Sequence, residues 1–403
     1  VSEAGTIKQA TQDYWAKVKT GDIGPLAAIL GLVVLCIVFG SMSPVCLTQG
    51  NFANLLTQAA AVIVIAMGLV FVLLIGEIDL SAGYASGVCS AVLVILVTKN
   101  DQPWYLALTS SIIVGCVLGY LIGILVARLG IPSFVVTLAS FLAFQGILLL
   151  LAGEGGTIRI EDKTVLAIEN SNLSVSASWL FFIVVSAIYF ISGLARINSR
   201  RKAGLKTELK KLWLIKTLAL IGASGLAVLT LNLERSNNPD LVSLKGIPYV
   251  VPLILAILVV GTFVLDRTAF GRHIYAVGGN AEAARRAGIN VKRTRIACFM
   301  ICSGLSAIAG LIFASRQNSV SPTTGGSSTL LYAVGAAVIG GTSLFGGKGK
   351  MRDAILGGLV VAVIDNGMGL LGYAAGIKFI VTGLVLLTSA SVDAISRRGV
   401  ANS

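Results

Sequence analysis

The chain has 403 residues, of which 56% are hydrophobic and only 12% are charged, and its mean hydropathy is +0.90. A water-soluble globule of this length needs far more charged surface, so lipid is the solvent that fits the composition. The formal net charge of +13 does not indicate a nucleic-acid partner, because the basic residues lie between hydrophobic runs and are not interleaved with aromatic residues.

Twelve hydrophobic runs along the chain are candidates for membrane-spanning helices, since a bilayer core about 30 Å thick takes about 20 residues of helix. The second and third runs are separated by almost nothing and the tenth is rich in glycine, so either region could hold a broken or re-entrant helix. We therefore expect an all-α integral membrane protein, a polytopic helical bundle of about 12 spans within residues 25–395. The intervals are 25–43, 52–76, 79–98, 104–127, 132–152, 178–195, 212–231, 248–265, 295–314, 329–346, 353–371 and 376–395.

The basic residues indicate the orientation of these spans. If the N-terminal segment 1–24 is cytoplasmic, 24 of the 31 Lys and Arg residues fall on the cytoplasmic side. Loops that remain in the cytoplasm carry such an excess of positive charge. We therefore expect both termini, including the tail 396–403, to be cytoplasmic. The seven basic residues on the opposite side are Lys99, Arg159, Lys163, Arg235, Lys245, Arg316 and Lys378.

Acidic residues within or beside the apolar runs are candidates for function, because each costs about 2.5–3.5 kcal/mol at the centre of an inserted helix. Glu77 and Asp79 follow Gly76, where the pattern fits a broken helix with Asp79 as the N-cap of the next segment and Ser81 beside it. Asp365 and Asn366 lie well inside a span. They predict either a polar path or hydrogen bonds between helices.

The long cytoplasmic loop 266–295 carries the pattern of one short capped helix. Asn280 is a suitable N-cap, Glu282 matches the positive N-terminal end of the helix dipole, and Gly288 is a suitable stop. Such a helix could dock in a groove of another protein, or it could simply connect two spans. The positions assigned to it are Asn280, Glu282, Ala283, Ala284, Arg285, Arg286 and Gly288.

Catalytic machinery is not evident in the sequence. Lys348 and Lys350 follow glycines but are not followed by Ser or Thr, so the P-loop pattern for ATP is missing. Cys298 and Cys302 lie four residues apart without the His or acidic partners of a metal site. We therefore predict no enzyme activity, no metal and no cofactor in this chain.

Five collinear motifs resemble the ribose/xylose/galactose permease family of bacterial ABC importers, over almost the full length. The additional pair of spans around residues 196–247 is similar to the xylose and multiple-sugar branch. The motifs are GEIDLSAG (76–83), IPSFVVTLA (131–139), AFGRHIYAVGGNAEAARRAGINVKRT (269–294), IGGTSLFGGKG (339–349) and DNGMGLLG (365–372).

This resemblance implies a permease subunit in the bacterial plasma (inner) membrane, importing xylose or a related monosaccharide. Two copies would pair with a separate cytoplasmic ABC ATPase, which hydrolyses ATP, and would receive sugar from an extracytoplasmic sugar-binding protein. The 280–288 helix matches the coupling helix of the family, which contacts the ATPase. GEIDLSAG matches a family element that lines the translocation region.

A neutral sugar needs hydroxyl and amide partners along its path rather than strong charges. Two departures from the family, LLYAVGA at 330–336 and Gln145, remove charges and leave the identity of the sugar open. The alternatives are an ion-coupled secondary transporter and a membrane scaffold subunit that transports nothing. The candidate path residues are Asn54, Gln58, Glu77, Asp79, Ser81, Thr137, Gln145, Thr342, Ser343, Asp365 and Asn366.

Overall fold

The computed structural model describes residues 26–153, 156–204, 210–236 and 238–401, so the N-terminal segment 1–24 lies outside the described residues. The described helices are α1 Leu26–Met42, α2 Gln49–Leu74, α3 Ala82–Thr98, α4 Trp104–Ala127, α5 Ser133–Ala152, α6 Lys163–Asn170, α7 Val175–Lys202, α8 Lys210–Leu231, α9 Val250–Arg267, α10 Ala269–Gly279, α11 Ala281–Arg286, α12 Val291–Gln317, α13 Ser327–Ile339, α14 Met351–Leu370 and α15 Ala375–Ala401. A 3₁₀ turn, Pro44–Leu47, follows α1, and strands β1 Ile158–Arg159 and β2 Ser319–Val320 pair antiparallel.

Each of the twelve predicted intervals contains an apolar helix. Within the described residues, α2, α4, α5, α7, α8, α9, α12 and α14 are long and apolar enough to cross a membrane, and α1, α3, α13 and α15 contain shorter apolar stretches. The prediction of an all-α polytopic membrane protein is therefore confirmed. The short helices α6, α10 and α11 lie between the spans.

Two boundaries differ from the prediction. The tenth span was expected over 329–346, but α13 ends at Ile339, and Gly341 then has a φ of 116° that a helix does not allow. Just beyond the end of the helix, Gly340 meets the backbone of Asp353 so closely that a Cβ would overlap it. At the other end of the chain, residues 396–401 of the expected tail continue α15, and 402–403 lie outside the described residues.

The chain divides into two compact units, the larger being residues 24–171 together with 248–393. In this unit most of α2, α3, α12 and α14 is buried, and α12 packs against α2, α3 and α4. Peripheral helices such as α5, α9 and α15 expose large apolar side chains, among them Leu150, Val259 and Ile380. An apolar exterior of this extent suits a lipid solvent, where water would penalise it.

Helix α4 approaches α12 closely through a row of three glycines spaced four residues apart. A Cβ at Gly115, Gly119 or Gly123 would overlap the backbone of α12 at Ser303, Phe299 or Ile296. Helices in lipid associate through such small-residue faces, because close backbone contact supplies the packing that a hydrophobic force cannot. The abundance of glycine, 46 residues in all, thus has a direct packing use.

The smaller unit contains residues 172–247. Its helices α7 and α8 pack through Phe190 and Trp213, whose ring centroids are 5.3 Å apart. After α8, Glu234 accepts a hydrogen bond from the Ser243 hydroxyl at 2.8 Å and from the Leu244 backbone N–H at 2.9 Å. These bonds, with the Leu244 bond contributing most, lower the pKa of Glu234 to about 2. The carboxylate therefore organises the loop that closes this unit.

Candidate functional site

A group of polar side chains joins α2 to α14 and α15. The Gln58 side-chain amide donates a hydrogen bond of 2.6 Å to Oδ2 of Asp365. The other carboxylate oxygen, Oδ1, lies 3.6 Å from the ammonium nitrogen of Lys378. Charged side chains inside a membrane are found with such partners, because an unpaired charge there is costly. Two predicted path residues are therefore in contact, and the group includes Lys378, which the charge count had placed on the outside of the membrane.

Asn51 and Asn366 extend this group through a reciprocal pair of amide hydrogen bonds, 2.9 Å and 3.0 Å long. Asn366 also donates to Oε1 of Gln58 at 3.3 Å. Asn366 was a predicted path residue, whereas Asn51 was not. Asn51 precedes Gln58 by seven residues, so both lie on one face of α2. That repeat of amide side chains is the sequence signal that could have identified Asn51.

A small cleft opens beside Gln58 and Asp365, between α2, α13 and α14. Its volume is about 30 Å³, which is room for no more than a few water molecules. Tyr332 contributes the aromatic part of the wall, and the remaining lining is aliphatic: Ala59, Val62, Gly358, Val361 and Ala362. A ligand pocket for a small molecule is about ten times larger. In this structure the cleft is therefore closed to a molecule of the size of a sugar.

Asn54 is exposed and lies apart from the cleft. Its Oδ1 accepts a hydrogen bond of 3.3 Å from the guanidinium of Arg316, which also donates to the Thr57 hydroxyl at 2.9 Å. Arg316 lies near the C-terminal end of α12 and Asn54 near the N-terminal end of α2. The structure thus gives this predicted path residue a role in joining two helix ends.

The predicted break between the second and third spans is present as the non-helical residues 75–81. The N-cap assignment of Asp79 was wrong, because α3 begins at Ala82 with Ser81 at its cap position. Asp79 is instead fully buried, and its Oδ1 accepts hydrogen bonds from the Ser81 backbone N–H at 2.9 Å and from the Ser81 hydroxyl at 2.6 Å. A turn that ends in Ser81 therefore precedes the helix, where a direct cap was expected.

Helix α5 and the start of α12 hold this broken segment in place. The Thr137 hydroxyl donates to the Ile78 carbonyl at 3.3 Å, and Ser133 accepts from the Ile78 backbone N–H at 3.3 Å. Glu77 forms an ion pair with Arg295, 3.2 Å between Oε1 and Nε. Non-helical backbone at membrane depth is tolerated only where protein covers it. These contacts provide that cover, so Glu77, Asp79, Ser81 and Thr137 form a second cluster.

Thr342 and Ser343 lie in a third place, beside the N-terminal end of α14. Both are buried, and the Thr342 hydroxyl is 3.4 Å from Oδ2 of Asp353. Asp353 also accepts the Lys350 backbone N–H at 2.7 Å, which caps α14. Twelve residues of helix separate Asp353 from Asp365, about 18 Å at about 1.5 Å per residue. Gln145, the remaining candidate, is exposed on α5 and does not line the cleft.

The short helix predicted in the long loop is present as α11. Oδ1 of Asn280 accepts the Ala283 backbone N–H at 2.9 Å, and Gly288 has a φ of 84° immediately beyond the C-terminal end. Glu282 pairs with Arg285 at 2.8 Å and with Arg286 at 3.2 Å. The predicted cap, charge placement and stop are therefore confirmed as local structure.

The alanines of α11 do not share one face. Ala283 is exposed, but Ala284 is 4% exposed and its carbonyl accepts the Ile289 backbone N–H at 3.0 Å. Ala284, which the sequence assigned to the helix that could dock, has a side chain that faces the rest of the chain and is not part of the outward face. The outward face of α11 is formed by Glu282, Ala283, Arg285 and Arg286.

Helix α10, which leads directly into α11, sits on a junction of glycines. The Gly347 backbone N–H donates to the Leu74 carbonyl at 2.9 Å, at the end of α2. A Cβ at Gly278 of α10 would overlap that same carbonyl oxygen, and one at Gly346 would press on Gly76. We call these four glycines and the Leu74 carbonyl the glycine junction. It places α10, the end of α2 and the loop before α14 in direct backbone contact.

Tyr275 adds a side-chain bond next to the glycine junction. Its hydroxyl donates to the Gly349 carbonyl at 2.8 Å. Burial raises the pKa of Tyr275 to about 12, and Asp266 and Asp353 act in the same direction. The hydroxyl therefore remains a protonated donor at physiological pH.

Comparisons with known proteins give consistent results. Residues 51–390 match the family described as branched-chain amino acid transport system / permease component. The xylose transport system permease protein XylH of Escherichia coli is 37% identical over 354 residues, 87% of this chain and 86% of that protein. XylH of Haemophilus influenzae is 34% identical over 87% of this chain and 91% of its own length.

More distant relatives are named for the transport of other sugars. The ribose import permease protein RbsC of Haemophilus influenzae is 27% identical over 91% of this chain and 92% of its own length. The D-allose transport system permease protein AlsC of Escherichia coli is also 27% identical, over 90% of this chain and 89% of its own length. No solved structure matches the chain significantly.

Proposed function

The chain belongs to the family of permease components of branched-chain amino acid transport systems, and from that membership we propose that it is the membrane-spanning permease of an ATP-driven sugar importer. The relatives named above for xylose, at 37% and 34% identity, favour xylose or a related monosaccharide as the cargo. The proposed location is a bacterial plasma membrane with both termini in the cytoplasm, because 24 of the 31 Lys and Arg residues then lie inside.

Helix α11 is the observation that carries this proposal. It is a capped helix of six residues that exposes one carboxylate and two guanidinium groups outward, and it connects two spans at the face proposed to be cytoplasmic. We propose that this face docks on a separate ABC ATPase. ATP hydrolysis would take place on that subunit, which requires no P-loop in this chain.

The contacts of α10 supply a route from α11 to the spans. Movement of α11 moves α10, which touches the end of α2 and the loop before α14 at the glycine junction. The non-helical residues 75–81 begin at this junction and lead into α3. Backbone contacts without intervening side chains transmit displacement directly, because closely packed backbone has little room to deform. Docking force would thereby reach α2, α3 and α14 together.

The proposed translocation path runs past the cleft at Gln58, Tyr332 and Asp365. These side chains offer a carboxylate, an amide and an aromatic ring, which suit the hydroxyls and the apolar faces of a monosaccharide. The cleft of about 30 Å³ is too small for a sugar, so α2 and α14 must separate during the cycle. The proposed partners outside the ATPase are an extracytoplasmic sugar-binding protein and a second copy of this chain.

Reconstitution tests the proposal. Purified chain, together with a candidate ABC ATPase and a candidate sugar-binding protein, is placed in proteoliposomes with radiolabelled xylose. We expect uptake that requires ATP and is insensitive to ionophores, and we expect Glu282→Lys to abolish uptake while the chain still inserts. Uptake without the ATPase, driven by a proton or sodium gradient, would contradict the proposal and support an ion-coupled transporter.

A further inference from the structure

Asp365 is the acidic side chain that faces the closed cleft, and both of its carboxylate oxygens are occupied. Oδ2 accepts the Gln58 amide at 2.6 Å and Oδ1 faces Lys378 at 3.6 Å. About a quarter of each charged side chain is exposed, 25% for Asp365 and 22% for Lys378. The pair is thus open enough to meet a passing solute and sheltered enough for its charges to be poorly screened.

A glycine of the facing helix lies next to the ammonium group of Lys378. Gly369 lies one turn after Asp365 on α14, and a Cβ there would lie 3.1 Å from the ammonium nitrogen of Lys378. The absence of a side chain at Gly369 leaves room for the lysine to reach along α14 to the carboxylate. The ammonium group therefore lies between Gly369 and the carboxylate of Asp365.

The surroundings of Asp365 supply no other cation within the described residues around the cleft. Helix α15 provides Lys378, α2 provides the neutral amide of Gln58, and α13 provides the phenol of Tyr332. Helix α1, which packs on the same end of α14, provides apolar side chains led by Phe39. The net charge at this point of the path is therefore zero only while the lysine is present.

We propose that Lys378 is a specificity-determining residue, which cancels the charge of Asp365 and thereby restricts the translocation path to uncharged polyhydroxy solutes. This inference rests on the proposed function, since it assigns a role within the same path. With the ammonium in place, the carboxylate can exchange its Gln58 bond for a sugar hydroxyl without exposing an unbalanced charge to the solute. Without the ammonium, the carboxylate leaves an unbalanced negative charge, which attracts cations into the path.

Three variants of the reconstituted complex test this role: Lys378→Met, Lys378→Arg and the double variant Asp365→Asn/Lys378→Met. Xylose uptake by Lys378→Met should fall by at least about tenfold at about pH 7.5, as expected from loss of one close charge partner. Lys378→Arg should retain uptake, and the neutral double variant should regain part of the uptake that Lys378→Met loses, because no unbalanced charge remains.

Glucosamine, a cationic sugar, gives a second measurement. Present on both sides of the vesicle, it should inhibit xylose uptake by Lys378→Met and leave wild type and the double variant unaffected. A double variant as inactive as Lys378→Met would overturn the inference, because the loss of uptake would then not come from the unbalanced charge. Full activity of Lys378→Met without inhibition by glucosamine would overturn it as well. If wild type itself shows no ATP-driven uptake, the proposed function fails and these comparisons do not arise.

Discussion

Glu169, on the short helix α6, is a buried carboxylic acid without a hydrogen-bond partner at either oxygen among the described residues. It is 8% exposed, and its backbone N–H is held by the Ser315 hydroxyl at 3.0 Å. Burial raises the pKa of Glu169 to about 8, although the Arg316 guanidinium nearby acts in the opposite direction. The side chain is therefore neutral over much of the physiological range, and a raised pKa links its protonation to stability.

Glu169→Gln should change how the stability of the chain depends on pH. The folded pKa of about 8 exceeds the ordinary value of 4.5. Protonated Glu169 thus stabilises the folded state fully below about pH 4.5, and that stability is lost as the pH rises through about 8. Glutamine should match wild type at about pH 4.5 and unfold at a higher temperature at about pH 9.

Thermal unfolding of the detergent-solubilised chain across this range is the measurement. Glu161→Gln, at an exposed position of the preceding loop, is the control and should leave the pH dependence unaltered. Parallel pH curves for Glu169→Gln and wild type would contradict the assignment of a raised pKa to this carboxyl.

At the scale of single elements, α10 and the glycine junction connect the docking helix to the spans. Two neighbouring glycines of α10 differ sharply in their surroundings. A Cβ at Gly278 would overlap the Leu74 carbonyl oxygen, whereas a Cβ at Gly279 meets nothing within 4 Å. Backbone contact requires glycine at the first position and not at the second.

Gly278→Ala should therefore separate ATP hydrolysis from sugar uptake. The added methyl displaces α10 from the end of α2, so uptake should fall by about tenfold or more while stimulated ATPase activity persists. Gly279→Ala has the same chemistry and should leave both rates close to wild type. Equal effects of the two substitutions would indicate a general change in the loop and would contradict transmission through the junction.

The local sequence predicted α11 well because the N-cap, the charged residues and the terminating glycine lie within nine residues, Asn280 to Gly288. The glycine junction could not be predicted in the same way. Its members come from three separate parts of the chain, around Gly76, Gly278 and Gly346, and each glycine alone resembles an ordinary turn. The burial of the Ala284 side chain could not be predicted for a related reason. A helix of six residues is too short for its periodicity to define a buried face.

At the scale of the whole molecule, the twelve apolar intervals and their order follow from hydropathy alone, because each span must satisfy its own backbone hydrogen bonds within the membrane. Hydropathy does not predict which polar side chains come into contact. Gln58, Asp365 and Asn366 were singled out and do come together, but Lys378, at the start of the span 376–395, was counted only as an outside basic residue. The three separate clusters of predicted path residues arise from packing between distant helices, which composition does not encode.

The central claim is that the outward face of α11 contacts an ATP-hydrolysing subunit, and cross-linking from that face tests it most directly. In a variant without native cysteines, Ala283→Cys carries a short photoactivatable group, with Gln102→Cys, exposed after α3, as the control. We predict a covalent adduct with the ATPase from position 283 and none from position 102, in complexes that transport sugar. Active complexes that give no ATPase adduct from position 283 would contradict the account.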